Sequence, residues 1–179
     1  WWPVFIRKVG KPLPDVVMEI GELLGKYRGP MSRHMSAKEP RTLRHGDYHL
    51  ENLMFGEAGS FHVVDWHFMQ RGRGITDVAR FLSELEPLDR QAIEIELLKD
   101  YVRILDDHGV RDYSFDDAMY DYRICLLDRF GSLVSTIAAM PFTEEQIRLH
   151  TDVLLSRNIA AFLNHDCRSL LDSYPKGEW

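Results

Sequence analysis

The stretch His45-Gly46-Asp47-Tyr48-His49-Leu50-Glu51-Asn52, with Val63-Val64-Asp65-Trp66 after it, decides how the rest of this chain is read. As a pattern it is H-G-D-x-x-x-x-N, then an apolar run that ends in aspartate. A carboxylate that closes an apolar strand needs a partner to offset its desolvation, and a cation is such a partner. Asn52 stands five positions after Asp47. An amide oxygen with a carboxylate suits Mg²⁺, which takes a few hard oxygen ligands and keeps some of its water. Asp47 is then a carboxylate beside that pair, placed to orient or deprotonate a hydroxyl. These are the roles that phosphoryl transfer asks of a protein.

The pattern resembles the aminoglycoside phosphotransferase and choline kinase family, whose signature is H-G-D-x-x-x-x-N followed by a hydrophobic strand and Asp. The resemblance covers residues 41–82 at motif level and the helical remainder more loosely. Gly46 sharpens it, since protein kinases carry Arg at that position and this family of small-molecule kinases carries Gly. The resemblance implies ATP and Mg²⁺ as cofactors and a small-molecule hydroxyl as phosphate acceptor. It makes Asp47 the catalytic residue, and Asn52 and Asp65 the metal and nucleotide ligands. His49 lies where protein kinases commonly carry Lys, so a phosphate contact competes with an exposed loop His. His45 is expected to support the loop without touching substrate. Asp77 is either a favourable charge at a helix N-terminus or, as the resemblance implies, an acceptor for the catalytic-loop backbone. ATP and GTP are not distinguished.

Composition narrows the field. A chain of 179 residues suffices for one domain with a sizeable core and is short for two. A formal charge of -6 gives no electrostatic reason to expect nucleic acid or an anionic membrane surface. No apolar run is long enough to span a bilayer. Cys125 and Cys167 are too few for a disulfide framework and suit a reducing compartment, hence the cytoplasm. Trp1-Trp2-Pro3 carries neither an initiator Met nor a signal-peptide pattern, as expected of a piece of a longer protein.

Along the chain, residues 14–27 read as an amphipathic helix with Val16, Ile20, Leu23, Leu24 and Tyr27 on one stripe, stopped by Gly29-Pro30. Residues 31–40 lack periodicity and read as a loop. Thr42-Leu43-Arg44 reads as a short strand that delivers the catalytic loop. Residues 52–55 and 60–65 read as a hairpin around Gly56-Glu57-Ala58-Gly59, with Asn52 and Asp65 at one edge. Residues 71–74 read as a loop and 76–85 as a helix. Residues 88–108 read as a longer helix with Ala92, Leu97, Leu98, Tyr101 and Leu105 inward. Ser114-Phe115-Asp116-Asp117 and Thr143-Glu144-Glu145-Gln146 look like capping boxes, opening helices to about residues 140 and 171.

The fold class is therefore α+β, mostly helical: a protein-kinase-like C-terminal lobe, one domain over residues 1–179, with a small β-hairpin carrying the catalytic and metal residues. No Gly-rich phosphate loop and no strand lysine precede the catalytic loop, and Lys8 and Lys11 lie in the wrong context. The N-terminal nucleotide lobe is thus expected to be a partner from outside these residues, or its seat to drive self-association. Only 12 positions run from Asp65 to Asp77, too few for a phosphorylatable activation segment. Asp116, Asp117, Asp121 and Asp128 would attract a cationic acceptor, or would form a solvated helix face with Arg123 and Arg129. Tyr120, Tyr122 and Trp66 are either an aromatic wall or core. Two other functions compete: a metal-dependent hydrolase using His45, Asp47, His49 and Asp65, and a non-catalytic kinase-like binding module. The hydrolase would need further His ligands at set spacing, whereas His34, His62 and His67 are scattered, and it leaves the Asn52 spacing unexplained.

Overall fold

The computed structural model describes residues 1–37 and 39–173. Its helices are α1 (Trp2–Val9), α2 (Asp15–Ala37), α3 (Ile75–Leu82), α4 (Pro87–Asp107), α5 (Phe115–Ala139), α6 (Glu144–Arg148), α7 (Ser156–Asn164) and α8 (Arg168–Ser173). Four three-residue strands, β1 (Thr42–Arg44), β2 (Leu53–Phe55), β3 (Phe61–Val63) and β4 (Gln70–Gly72), form two antiparallel pairs. The protein is mostly helical, with the small β element lying between α2 and α3 in sequence. Among the described residues, no helix is long and apolar enough to cross a membrane.

Helix α5 is the axis. Ile124, Leu126, Leu127, Phe130 and Ile137 are fully buried on it, and α1, α2, α3, α4 and α7 all pack against it. A helix apolar around much of its circumference has to be enclosed by others. Its start is fixed as the sequence suggests: Ser114 Oγ accepts from the Asp117 amide, and the Asp117 carboxylate accepts from the Ser114 amide. The second capping box, Thr143 with Gln146, closes in the same way. The helix it opens is not continuous to residue 171, however. It widens into a π-helical stretch over Leu149–Leu155 and breaks after α7 at residues 165–167, where Asp166 takes a φ of 46°.

Helix α2 departs from expectation most. It runs through Gly29-Pro30 to Ala37, so most of the expected loop at 31–40 is helix. Proline removes one helical N–H donor, but the turns beyond it bury Met31, His34 and Met35, and that burial carries the helix on. Residues 71 and 72, expected as loop, belong to β4, which pairs with β1 in the register Thr42↔Gly72, Leu43↔Arg71 and Arg44↔Gln70.

Helix α4 turns inward part of the expected stripe, with Leu98 buried and Tyr101 and Leu105 packed against the core. Ala92 and Leu97 are exposed, while Arg90 and Glu94 are buried. Glu94 Oε2 accepts from Tyr122 Oη of α5 at 3.1 Å, and Glu94 Oε1 lies 3.1 Å from His165 Nε2. Burial pushes the Glu94 carboxyl up, but His165, Arg90 and Tyr122 together hold it below the ordinary range. Tyr122 is therefore core.

Candidate active site

The β2–β3 hairpin pairs Leu53↔Val63, Met54↔His62 and Phe55↔Phe61. One further rung, from the Val64 N–H to the Asn52 carbonyl at 3.0 Å, locks the two strand ends where Asn52 and Asp65 sit. Asn52 is buried and donates its side-chain N–H to the Asp47 carbonyl at 2.9 Å. The same nitrogen lies 3.2 Å from His49 Nε2, which is 3.3 Å from Asp47 Oδ2. Asp47, His49 and Asn52 thus meet in one hydrogen-bonded loop. Asn52 Oδ1 makes no hydrogen bond among the described residues.

Asp65 stands apart from that trio. It takes the left-handed backbone conformation, φ 64° and ψ 59°, which aspartate tolerates better than most residues. Its half-exposed carboxylate contacts His67 Nδ1. Trp66 is partly exposed and leans on the His45 ring, their centroids 4.7 Å apart.

Support comes from below. Both Asp77 oxygens accept amides of the His45–Asn52 loop, Oδ2 from His45 at 2.6 Å and Oδ1 from Gly46 at 2.9 Å. His45 is buried, and its Nε2 is 2.8 Å from the Val64 carbonyl, which fastens the loop to the hairpin. Gly46 has a φ of +87°, and a Cβ there would lie 2.4 Å from the Phe68 carbonyl oxygen. Close backbone approach with a left-handed φ leaves room only for glycine.

The sequence reading missed Arg80. It donates to Asp47 Oδ1 from Nη2 at 3.0 Å and from Nε at 3.3 Å. Partial burial pushes the Asp47 carboxyl up, yet the Arg80 guanidinium and then His49 outweigh it and hold the group below the usual carboxylate range. Arg80 itself is pushed down to about 10 by burial and by the like charge of Arg129. Arg80 and Arg129 share Glu84, Arg129 at 2.8 Å. The available signal was helical: Arg80 falls one turn after Asp77, on the face beneath the loop.

The acidic run is not one surface. Asp117 is the α5 cap, and Asp121 is buried among His34, Tyr113 and Arg73. Asp128 pairs with Arg28 at 3.4 Å. Nor is Arg129 a solvated interleaving charge, since it lines a cavity beside Asp47. Lys8 serves the last carbonyls near the α5 C-terminus, Ile137 and Met140, and Lys11 pairs with Asp152, both outside the His45–Asn52 loop.

Comparison with known proteins finds no match among curated proteins or solved structures. Comparison with protein families matches residues 22–113 to the phosphotransferase enzyme family, APH. That span holds the loop, the hairpin and Asp77, and by it the chain belongs to the phosphotransferase enzyme family.

Proposed function

We propose that residues 1–179 form the catalytic, C-terminal lobe of an ATP- and Mg²⁺-dependent kinase that moves the γ-phosphate to a hydroxyl of a small molecule. The observation that carries this reading is the bond from the Asn52 side-chain amide to the Asp47 carbonyl, 2.9 Å long, beside the Val64–Asn52 rung. It joins a carboxylate suited to a hydroxyl and a hard oxygen donor in one unit with the strand that leads to Asp65.

Asn52 and Asp65 fit a magnesium ion by the chemistry of their donors. The Asn52 side-chain nitrogen is engaged while its oxygen makes no hydrogen bond among the described residues, and Asp65 brings a half-exposed carboxylate. Bound there with nucleotide, the ion would neutralise charge on the phosphates. Asp47 orients the acceptor hydroxyl and receives its proton. Its low proton affinity suits late transfer to an ionised group more than early abstraction. His49, between Asp47 and Asn52, is proposed to meet the transferring phosphate. His45 and Asp77 hold the loop still.

A nucleotide-covering lobe is proposed to rest on the apolar hairpin side, where Phe55 is 72% exposed. Behind Phe55 a groove of about 480 Å³ runs along Phe61, Phe81 and Ile104. A cytoplasmic setting is proposed as well, since it supplies ATP and suits the free thiols of Cys125 and Cys167. The hydrolase alternative needs a cluster of three or more His, Cys, Asp or Glu side chains, and none forms among the described residues.

The test is γ-phosphate transfer by the full-length protein with Mg²⁺, with GTP run beside ATP. Asp65→Ala should abolish transfer, and Asp47→Asn should lower turnover by about 10²-fold or more with nucleotide affinity little changed. Full activity in a folded Asp65→Ala variant would remove Asp65 from the site. Nucleotide binding without transfer in the unaltered protein would leave a binding module.

A further inference from the structure

We infer that the phosphate acceptor is an anionic alcohol, a small hydroxy compound carrying a carboxylate or a phosphate, held in the arginine-lined cavity beside Asp47. This rests on the kinase reading and names its substrate class. The cavity has a volume of about 430 Å³, and its charged lining is Arg28, Arg44, Arg80, Arg129, Asp47 and Asp128. Four guanidinium groups therefore face two carboxylates, and Asp47 is committed to Arg80.

The other charges do not restore the balance. Glu84 spans Arg80 and Arg129 from behind. Asp128 is engaged by Arg28, which also donates to Ser135 Oγ at 2.7 Å and Ser132 Oγ at 2.9 Å. The Arg44 side chain has neither an ion pair nor a hydrogen-bond acceptor among the described residues. The Arg44 and Arg129 Nε atoms are buried without acceptors. Arg44 is brought to the cavity by β1 and crosses Gly72, where a Cβ would lie 3.1 Å from its Nε.

A guanidinium fork matches a carboxylate or phosphate in shape and charge, and such paired bonds are about twice as strong as neutral ones. A cationic acceptor, attractive while the α5 aspartates looked like one acidic face, would here meet unpaired arginine. In the transfer, the acceptor hydroxyl oxygen bonds to the γ-phosphorus. The bond from that phosphorus to the bridging oxygen breaks, its electron pair leaves with ADP, and the hydroxyl proton passes to Asp47.

Three-carbon alcohols of similar size separate charge from shape. Glycerate, glycerol 3-phosphate, glycerol and 3-amino-1,2-propanediol would each be titrated into the protein by calorimetry. At least one anion should bind about tenfold or more tighter than glycerol, the scale of one hydrogen bond to a charged group. The aminodiol should bind no tighter than glycerol. Carboxylate and phosphate sources are told apart by which of the two anions wins. Arg44→Gln, its fold checked by amide NMR, should remove most of the preference. Tightest binding by the aminodiol, no anion preference, or an unchanged preference in Arg44→Gln would overturn the inference. So would displacement of the anion by MgATP, which would give the cavity to the nucleotide. Asp65-dependent transfer is measured beside it: its loss with anion preference intact sinks the kinase reading, and its survival without anion preference sinks this inference alone.

Discussion

Asp47 is held between two opposed influences, and Arg80 decides between them. Burial alone would raise the carboxyl, while the guanidinium and His49 bring it below the ordinary range. A group whose folded value is depressed contributes stability above its unfolded value and loses it as pH falls through the folded value. The Asp47–Arg80 pair therefore helps the fold at and above about pH 4, the unperturbed aspartate range, and fails only in stronger acid. Activity follows the same sign. Arg80→Gln removes the main downward pull and leaves desolvation, so the acid limb of the pH–rate profile should move to higher pH. A limb that stays in place in the folded variant would show that Asp47 does not set it. The meeting of Asp47 with Asn52 was legible in sequence from the H-G-D-x-x-x-x-N spacing, whereas Asp65 could be read only as the residue after the hairpin. Arg80 was not legible, because arginine on a helix is common and only its distance to Asp47 gives it meaning.

At the scale of elements, legibility tracked local signals. The β2–β3 hairpin could be read because its apolar runs flank a four-residue turn containing two glycines. Strand β4 could not, because Gln70-Arg71-Gly72 is polar and its partner β1 lies far back in the chain. Helix α4 misled through chemistry of the opposite kind, since its inward stripe includes a charged pair. No local pattern shows that Glu94 is answered by Tyr122 and His165 from α5 and the turn after α7. Removing one partner of a buried charged pair strands the other. Glu94→Ala should therefore destabilise the protein by about 3–5 kcal/mol, read from the denaturant midpoint, whereas the exposed Glu96→Ala should change it little. Equal, small effects would mean that the Arg90 charge is accommodated without Glu94.

Across the whole molecule, the rigid core and the candidate site are placed apart. Helix α5 is enclosed by five other helices, and its capping box and Asp121 pin its first turns. Its surroundings were only partly readable, since which helices meet depends on long-range packing that periodicity does not encode. The ribbon that carries Asn52 and Asp65 has three-residue strands and exposed Met54, Phe55 and Phe61. Few buried contacts and solvent-facing backbone bonds mark regions that open at low free energy. The core can thus stay closed while the ribbon breathes.

The rung from Val64 to Asn52, beside Asp65, gives that arrangement a reporter. Its hydrogen belongs to Val64, whose N–H bonds the Asn52 carbonyl at 3.0 Å. An ion held by the two side chains would tie both ribbon ends together and suppress the opening that releases this hydrogen to solvent. In deuterated buffer, Mg²⁺ with nucleotide should slow exchange at the Val64 amide severalfold, while amides in the middle of α5 keep their rates. Slowing that persists in Asp65→Ala would trace to something other than the ion. One amide proton would then serve as an occupancy gauge that needs no turnover and no knowledge of which alcohol receives the phosphate.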